Sequence, residues 1–531
     1  MANTLKFGNG QWATKEGSTL AYNSENNNYK PLPFTFDRDS VATRVNKQGL
    51  IETVGADQPR IDYSNDSNGA LKLEPSRTNL VTYSEDFPRT YWTKSGATIQ
   101  GDPSTAGSEL VTNGDFATDS DWTKGTGWTI SGGTANCDGT NSPLDQFSLT
   151  TIGKTYKVEI TVSNMTTSSV NVRLGTASSD IIGSILSNGT YTFYGTVANN
   201  TTFRIRSNTG FNGSIDNVSV KEVQGFTSLD GTNNAYKLVE GTNNGNHSIS
   251  ATVLVNSGDN SFSMYVKENG RKHISLYTNS RGSENDQYGF YLNGSGSVTF
   301  NNTNGDATIT SLSNGWYRVS ITHPSSGYNT RFFKLYLSNS EVSSNTIPSY
   351  QGDGLKGVYI YGSQIEAGNY PTSIINTKGS AVTRLADVCS QTVPDGVIGQ
   401  TEGTVYMDFI AQLSAGQSQS HFWLGASGNE IGLYGGSQFI FYSSGGVQMN
   451  GGNIVNGQRY KIAFGYKAND YVAYVNGTQI GTDTSATVPT MSGLAIGGYF
   501  NGNEVQKKNI NDFKLYNTRL SNSELAALTQ V

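Results

Sequence analysis

Charged residues are scarce in this chain of 531 residues, since Asp, Glu, Lys and Arg together make up 15% of it, against about 25% in an ordinary soluble domain. Stretches rich in Ala, Leu, Glu and Lys, which form helices, are nearly absent. Glycine (62 residues) and tyrosine (29 residues) are abundant instead, together with Ser, Thr and Asn. Tyr and Thr favour strands, whereas Gly, Asn and Ser favour turns. The composition therefore predicts an all-β protein.

Other absences exclude classes of function. The net charge is −6 and no basic run is present, so nothing favours binding to nucleic acid. The sequence contains no run of about 20 apolar residues, the length that a membrane-spanning helix needs. Residues 1–10 lack the charged-then-apolar pattern of a signal peptide. Cys137 and Cys389 lie far apart in the sequence, and we expect two unpaired thiols.

The length exceeds what one hydrophobic core supports, so we expect several domains. Residues 1–77 are turn-rich and only weakly periodic, which predicts an irregular N-terminal arm. Arg and acidic residues recur along this segment. Two structures would account for this pattern: a solvated arm, or an arm that docks on a neighbouring subunit through Arg–carboxylate pairs. Docking is the favoured alternative because several aromatic residues would be costly to leave in water, namely Phe7, Trp12, Phe34, Phe36 and Tyr63.

Alternating apolar and polar residues predict β-sandwiches after the arm. Residues 78–107 and 225–375 are predicted to form one sandwich. A second sandwich, over 108–224, is predicted to interrupt it, since loop tips tolerate insertions. Residues 376–399 are then predicted as a linker and 400–531 as a jelly roll.

Two local signals stand out in the last unit. Asn476-Gly477 is typical of a two-residue hairpin turn, because both positions tolerate positive φ. Ser521 is expected to cap a single short helix, with Glu524 completing the capping pattern three residues later.

Longer motifs carry resemblances to known families. Tyr471-Val-Ala-Tyr-Val-Asn-Gly477, followed by Ile510-Asn-Asp-Phe-Lys-Leu-Tyr516, resembles the concanavalin A-like (laminin G-like) jelly roll. Leu110-Val-Thr-Asn-Gly-Asp-Phe116 and Ile215-Asp-Asn-Val-Ser-Val220 make the interrupting unit similar to carbohydrate-binding-module sandwiches. These resemblances imply lectin-like domains that bind host-surface glycans.

The remaining segments, with motifs such as Leu73-Glu-Pro-Ser-Arg-Thr-Asn79 and Tyr370-Pro-Thr-Ser373, resemble parts of bacteriophage structural proteins. That resemblance implies a virion surface appendage, a tail fibre or a head fibre, made in the host cytoplasm and released by lysis. It also implies contacts to other virion proteins through the N-terminal arm. Fibre-like attachment further implies a homo-oligomer, with a trimer favoured by analogy with other phage fibres.

Sequence patterns of catalysis are weak. Retaining glycoside hydrolases of the jelly-roll type place two carboxylates about 5 Å apart on one strand, whereas Asp408 and Glu430 each stand alone. The four histidines lack metal-ligand spacing, and no Gly-x-Ser-x-Gly elbow is present. We therefore predict a non-enzymatic protein with no catalytic residue and no required cofactor.

Glycan binding would use aromatic faces against sugar rings. The candidates are Trp122 and Trp128 in the interrupting unit, with a core position favoured for Trp128 and open for Trp122. In the last unit the candidates are Tyr434, Tyr442 and Tyr499, beside glycine-rich loops. Trp423 is predicted to lie in the core.

A structural calcium ion often joins the first and last strands of the carbohydrate-module family. Asp115 and Asp216 occupy those places here, so the resemblance implies a calcium site; the alternative is that both are turn residues. For the whole chain, two alternatives to glycan-binding attachment remain: a structural capsid or tail decoration protein, and a polysaccharide depolymerase.

Overall fold

The computed structural model describes residues 5–10, 13–15, 18–23, 28–30, 35–279, 285–325, 329–392, 396–411, 419–499 and 507–531. Antiparallel strands dominate it, which confirms the predicted all-β class. Within those ranges no helix is long and apolar enough to cross a membrane. Three β-sandwiches contain most of the strands, and each has its own hydrophobic core.

The terminal sandwich is the one built around the C-terminal part of the chain. Neighbouring strands of its larger sheet are Ala13–Lys15, Ser18–Asn23, Leu5–Gly8, Lys508–Tyr516, Glu402–Ala411, Arg459–Lys467, Tyr471–Val475 and Thr478–Asp483. Three further strands join this sheet as side branches: Asn28–Lys30, Arg60–Asp62 and Ala70–Leu73. The smaller sheet contains, in order, Val447–Asn453, Gln438–Ser443, Asn429–Gly435, Gln419–Ala426, Gly493–Ile496, Val388–Thr392 and Thr35–Asp37.

The N-terminal strand lies inside this sandwich. Leu5–Gly8 pairs with Lys508–Tyr516 so that Phe7 lies opposite Phe513, with their ring centroids 5.4 Å apart. Phe7 and Phe36 belong to the core of the terminal sandwich, where burial of each such side chain contributes roughly 1.5–3 kcal/mol.

This arrangement differs from the predicted irregular arm over residues 1–77. Segments of that region are strands of the chain's own sheets, because their aromatic side chains complete the core of the terminal sandwich. Trp12 and Phe34, also predicted to be buried, lie outside the described residues. The predicted linker 376–399 differs as well, since Val388–Thr392 is an inner strand of the smaller sheet and Cys389 is buried.

The middle sandwich consists of two six-stranded sheets. One contains, in order, Thr93–Ser95, Ser248–Val255, Asn329–Ser338, His273–Asn279, Asn285–Tyr291 and Ser297–Phe300. The other contains Ala97–Gln100, Tyr236–Glu240, Gly357–Ala367, Gly258–Asn269, Trp316–Ser325 and Asp306–Ser311. Alternation along these strands buries apolar residues between the sheets, among them Leu238, Leu276, Phe290 and Leu335.

The inserted sandwich consists of two five-stranded sheets. One contains, in order, Thr123–Lys124, Pro143–Gln146, Phe203–Ser207, Val170–Leu174 and Ile181–Ile185. The other contains Trp128–Ser131, Thr134–Asp138, Asn212–Val223, Thr155–Ser163 and Gly189–Thr196. The chain leaves the middle sandwich and returns to it at adjacent points, since Asp102 and Gln224 form an antiparallel bridge. Cys137 lies in this core, far from Cys389, and both thiols are free as predicted.

Short elements complete the described fold. The two-stranded ribbons pair Ala42–Val45 with Ile51–Val54, Arg77–Asn79 with Val382–Arg384, and Asn244–Gly245 with Tyr350–Gln351. Single 3-10 turns span Pro103–Thr105, Ser178–Asp180 and Ser313–Gly315.

The α-helix Asn522–Thr529 begins after Ser521, whose backbone N–H donates to the Glu524 carboxylate at 2.8 Å. This confirms the predicted cap. Asn476 and Gly477 both have positive φ in the predicted hairpin turn.

A buried cluster of charges, here called the ionic junction, connects segments far apart in the sequence. It consists of Arg38, Arg60, Glu74, Arg384 and Asp387, whose side chains are at most 1% exposed. Arg60 and Arg384 both donate to Glu74, and Arg38 and Arg60 both donate to Asp387. The Arg–carboxylate pairs expected to dock the arm on a neighbouring subunit therefore occur within the chain, at this junction.

Candidate functional site

Trp122 and Trp128 lie in the core of the inserted sandwich. Their exposed fractions are 7% and 4%, and the Trp122 ring packs 5.2 Å from that of Phe116. Their indole N–H groups donate to the carbonyl oxygens of Asn113 (3.0 Å) and Ser142 (3.1 Å). A buried ring offers no face to a sugar, so neither tryptophan is placed to bind one. Trp128 occupies the core position that was favoured for it, and Trp122, for which both positions were open, lies in the core as well.

Asp115 and Asp216 form local turn contacts. Asp115 accepts a hydrogen bond from the Ala117 backbone at 3.3 Å, and Asp216 accepts one from the Asn217 backbone at 2.6 Å. Among the described residues, no group of three or more His, Cys, Asp or Glu side chains is placed to hold a metal ion. A calcium ion here would need backbone carbonyl oxygens as further ligands, and the site stays a prediction.

Trp423 lies on the outer face of the terminal sandwich, not in its core as predicted. Its neighbours Phe422 and Leu424 point into the core, so strand alternation turns Trp423 outward. The indole ring lies over Gly432 of the adjacent strand, where a Cβ would meet Trp423 Cε3 at 2.2 Å. Only glycine allows the ring to lie so close to the sheet.

The three tyrosines predicted as glycan contacts surround this tryptophan. Tyr434 stacks on Trp423 with centroids 5.7 Å apart and an interplanar angle of 17°. Tyr442 and Tyr499 contact it edge-on, at 6.0 and 5.2 Å. All three tyrosines are partly exposed, whereas Trp423 is 6% exposed. We call these four residues the aromatic platform.

Polar groups border the aromatic platform. Gln448 lies opposite Tyr442 on the neighbouring strand, and Asn450 is two residues further on; both are exposed. Glu430 accepts a hydrogen bond from the Tyr499 hydroxyl at 2.9 Å. The Trp423 indole Nε1 is buried and has no hydrogen-bond partner within the described ranges. Aromatic faces beside amide groups and a carboxylate are the combination that recognises polar, ring-shaped ligands.

A second concave feature, called the cleft below, lies between the middle and terminal sandwiches. Its volume is about 350 Å³, within the range of about 300–1,000 Å³ typical of small-molecule sites. Tyr265 and Arg318 line it from the middle sandwich, Lys507 and Asn509 from the terminal sandwich, and Tyr370 from the segment between them. Tyr370 belongs to the motif Tyr370-Pro-Thr-Ser373, but the sequence predicted no site here, because these residues come together through tertiary packing alone.

Burial sets the electrostatics around the cleft. It opposes ionisation of Glu74, but Arg384 and Arg60 outweigh it and hold the pKa of Glu74 well below its usual value. Burial lowers the pKa of Lys507 to about 8; Glu74 opposes the shift, while Arg318 adds to it. The cleft therefore contains a carboxylate that stays charged and a lysine whose charge is only weakly stabilised.

Comparison with known proteins identifies the terminal sandwich. Residues 391–526 match a family described as the concanavalin A-like lectin/glucanases superfamily. They form a concanavalin A-like, laminin G-like domain, as the sequence predicted. No curated protein matches the chain.

Comparison with solved structures matches the chain, at low TM-scores, to carbohydrate-active and laminin proteins. Domain 4 of AbnA, a GH43 arabinanase from Geobacillus stearothermophilus, is 20% identical over 30% of this chain and 83% of its own, with a TM-score of 0.23. Mouse laminin α1 domains LG4-5 are 11% identical over 52% and 88%, with a TM-score of 0.20. Trypanosoma rangeli sialidase is 11% identical over 99% and 98%, with a TM-score of 0.23.

The prediction of a non-enzymatic protein is overturned, because the family that residues 391–526 match is described as including glucanases as well as lectins. The arabinanase and the sialidase are glycoside hydrolases. The sequence was searched for two carboxylates on one strand, and their absence was taken to exclude an enzyme. That criterion was too narrow, because it covers only the retaining glycoside hydrolases of the jelly-roll type. At these identities and TM-scores, the likeness assigns neither a reaction nor a catalytic residue to this chain.

Proposed function

We propose that the chain binds glycans through the aromatic platform of its terminal sandwich. The observation that carries the proposal is the grouping of Tyr434, Tyr442 and Tyr499 around Trp423 on one outer sheet face. The match of this domain to a lectin and glucanase superfamily supports it.

Two properties of the aromatic platform favour sugar binding: its rings are held in place by packing, and polar groups border it. Tyr434 is stacked on Trp423, so its side chain is already ordered before a sugar binds. The loss of conformational entropy on binding is therefore small. The apolar face of a pyranose would lie on the partly exposed tyrosine rings, and its hydroxyls would reach Gln448 and Asn450. A platform of this kind binds weakly at one site, and repeated copies raise the apparent affinity.

The test is binding of the full chain to a glycan array, followed by calorimetry with each glycan that binds. The Tyr434→Ala/Tyr442→Ala double variant should lose the binding without a change in melting temperature. Tyr191→Ala is the matched control, because Tyr191 is also a partly exposed tyrosine in a stacked pair, in the inserted sandwich. Equal binding by the double variant would disprove the role of the platform.

We further propose that the protein is a virion surface appendage of a bacteriophage, a tail or head fibre, that presents this platform to host glycans. The resemblance of Leu73-Glu-Pro-Ser-Arg-Thr-Asn79 and Tyr370-Pro-Thr-Ser373 to phage structural proteins supports this. A homotrimer, contacts to other virion proteins and a structural calcium ion belong to the same proposal. Light scattering, labelled electron microscopy of particles and unfolding with a chelator test these three parts separately.

A further inference from the structure

The cleft has one wall from each of two sandwiches. On the middle-sandwich side, Tyr265, Arg318 and Thr310 lie side by side on three neighbouring strands, facing away from the core. On the other side, Asn509 lies near the start of the strand Lys508–Tyr516 of the terminal sandwich, and Lys507 directly precedes that strand. The cleft is separate from the aromatic platform, whose residues do not line it.

Among the described residues, the hydrogen-bond and ring contacts of two cations in the cleft are to neutral groups. Arg318 Nη2 donates to the Ser263 hydroxyl at 2.9 Å, and its guanidinium carbon lies 5.2 Å from the centre of the Tyr265 ring. Lys507 Nζ donates to the Pro371 carbonyl at 3.1 Å and lies 5.7 Å from the centre of the Tyr370 ring. Aromatic faces attract a cation but leave its N–H groups available to an anion.

The neighbouring carboxylates already have cationic partners. Asp62 pairs with Lys72 at 2.5 Å, and Glu74 pairs with Arg60 at 2.9 Å and with Arg384. Within the described part of the chain, neither Arg318 nor Lys507 has a carboxylate within 4.0 Å.

Two more carboxylates lie nearby but do not neutralise these cations. Glu366 is buried, and burial raises its pKa, which disfavours its charged form. Asp306 is exposed at the rim, four residues from Thr310 and therefore about 13 Å further along the strand.

Polar atoms without partners lie in the same cleft. Asn509 is 6% exposed, and its Oδ1 has no hydrogen-bond partner among the residues that the structure describes. The buried Nε of Arg318 also has none. A buried polar atom without a partner is destabilising, so a ligand or water that bonds to both would be favoured here.

Hydroxyl groups line the wall between Arg318 and the rim. Thr308 and Thr310 face Ser320 and Arg318 across the strand pair, and the Thr308 and Ser320 hydroxyl oxygens are 2.5 Å apart. Thr322 continues this row beside Asp306. The wall is therefore cationic at its inner end and rich in hydroxyls toward solvent.

We propose that the cleft binds a carboxylated sugar, a hexuronate unit, with its carboxylate between Arg318 and Lys507. The ring hydroxyls would then extend along Thr308, Thr310 and Ser320 toward the rim, and Asn509 Oδ1 would accept from one of them. A carboxylate accepts hydrogen bonds only, which matches two cations with spare donors. This ligand class differs from that of the platform, so the two sites would recognise different parts of a glycan.

The test is calorimetry of the full chain with galacturonate, galactose and inorganic phosphate. Galacturonate should bind, and galactose should bind about tenfold more weakly or worse, because it lacks the charge-assisted hydrogen bonds. Arg318→Gln and Lys507→Met should each weaken galacturonate binding by about tenfold. Lys334→Gln is the matched control, since Lys334 lies over Tyr277 on the opposite sheet; it should leave binding unchanged.

Three results would overturn the proposal. The first is no binding of galacturonate at about 10 mM, a concentration that detects even weak single-site affinity. The second is unchanged binding in both cleft variants. The third is phosphate binding as strong as that of galacturonate, which would reduce the cleft to a simple anion site. Should Arg318→Gln not fold, Lys507→Met gives the same comparison, because the one hydrogen bond of the Lys507 ammonium within the described residues goes to the loop carbonyl of Pro371.

Discussion

Arg60 Nη1 lies 2.9 Å from Glu74 Oε2, and neither side chain is exposed to solvent. Glu74 also accepts hydrogen bonds from Arg384 and from the backbone and hydroxyl of Ser373. One carboxylate therefore connects the N-terminal strands, the end of the middle sandwich and the segment that leads into the terminal sandwich. A buried charge is tolerated only when it is paired and hydrogen-bonded, so the ionic junction fixes how these segments meet.

Glu74→Gln should strongly destabilise the protein, because it leaves two buried guanidinium groups short of a counter-charge. We expect a loss of about 3 kcal/mol or more in the free energy of unfolding, measured by calorimetry on the transition of the terminal sandwich. Glu222→Gln, which breaks the exposed pair of Glu222 with Lys154, is the control and should leave the melting temperature unchanged. Similar effects of the two substitutions would show that the junction is not stabilising.

Gly432→Ala should disturb the aromatic platform while the sandwich stays folded. The new Cβ would meet Trp423 Cε3 at 2.2 Å, so the indole must move and Tyr434 loses its stacking partner. We expect a red-shifted tryptophan emission and weaker glycan binding, with the far-UV spectrum retained. Unchanged glycan binding by a variant with altered emission would separate Trp423 from the site.

Local signals in the sequence predicted much of the fold. Alternation of apolar and polar residues predicted β-sandwiches after the arm, and the strand Thr155–Ser163 shows this alternation in its burial. Period-two alternation, the Asn476-Gly477 turn and the Ser521 cap each depend on a few neighbouring residues, which is why the sequence alone reveals them.

Contacts between distant segments could not be predicted in the same way. Leu5–Gly8 pairs with a strand some five hundred positions later, and nothing in its four residues specifies that partner. Trp423 was expected in the core because it is large and apolar. Its direction depends instead on the register that Phe422 and Leu424 impose. Nothing near Arg318 or Lys507 in the sequence indicates a shared site, because the packing of two sandwiches brings the two residues to one cleft.

His421 should make the terminal sandwich sensitive to mild acid. Burial lowers its pKa well below the usual value, so the folded protein keeps it neutral between Phe409 and Phe439. Below about pH 6.5 the unfolded chain binds a proton that the folded chain cannot, so stability falls as the pH falls. His421→Leu should remove this dependence between about pH 7 and 5, measured as melting temperature against pH. Parallel pH profiles of the two proteins would contradict the assignment.

Hexuronate binding in the cleft should weaken as the pH rises through the pKa of Lys507. Burial lowers that pKa to about 8, with Glu74 opposing the shift and Arg318 and Lys72 adding to it. The charged form, which the ligand requires, is therefore lost between about pH 7 and 9, whereas the hexuronate and Arg318 keep their charges. Galacturonate affinity should fall across this range, and the binding reaction should take up protons near pH 8.

Lys507→Met should bind more weakly at pH 7 and show no such change, because the titrating group is gone. Calorimetry in two buffers of different ionisation enthalpy measures both quantities, and a flat profile for the unmodified protein would place the carboxylate away from Lys507.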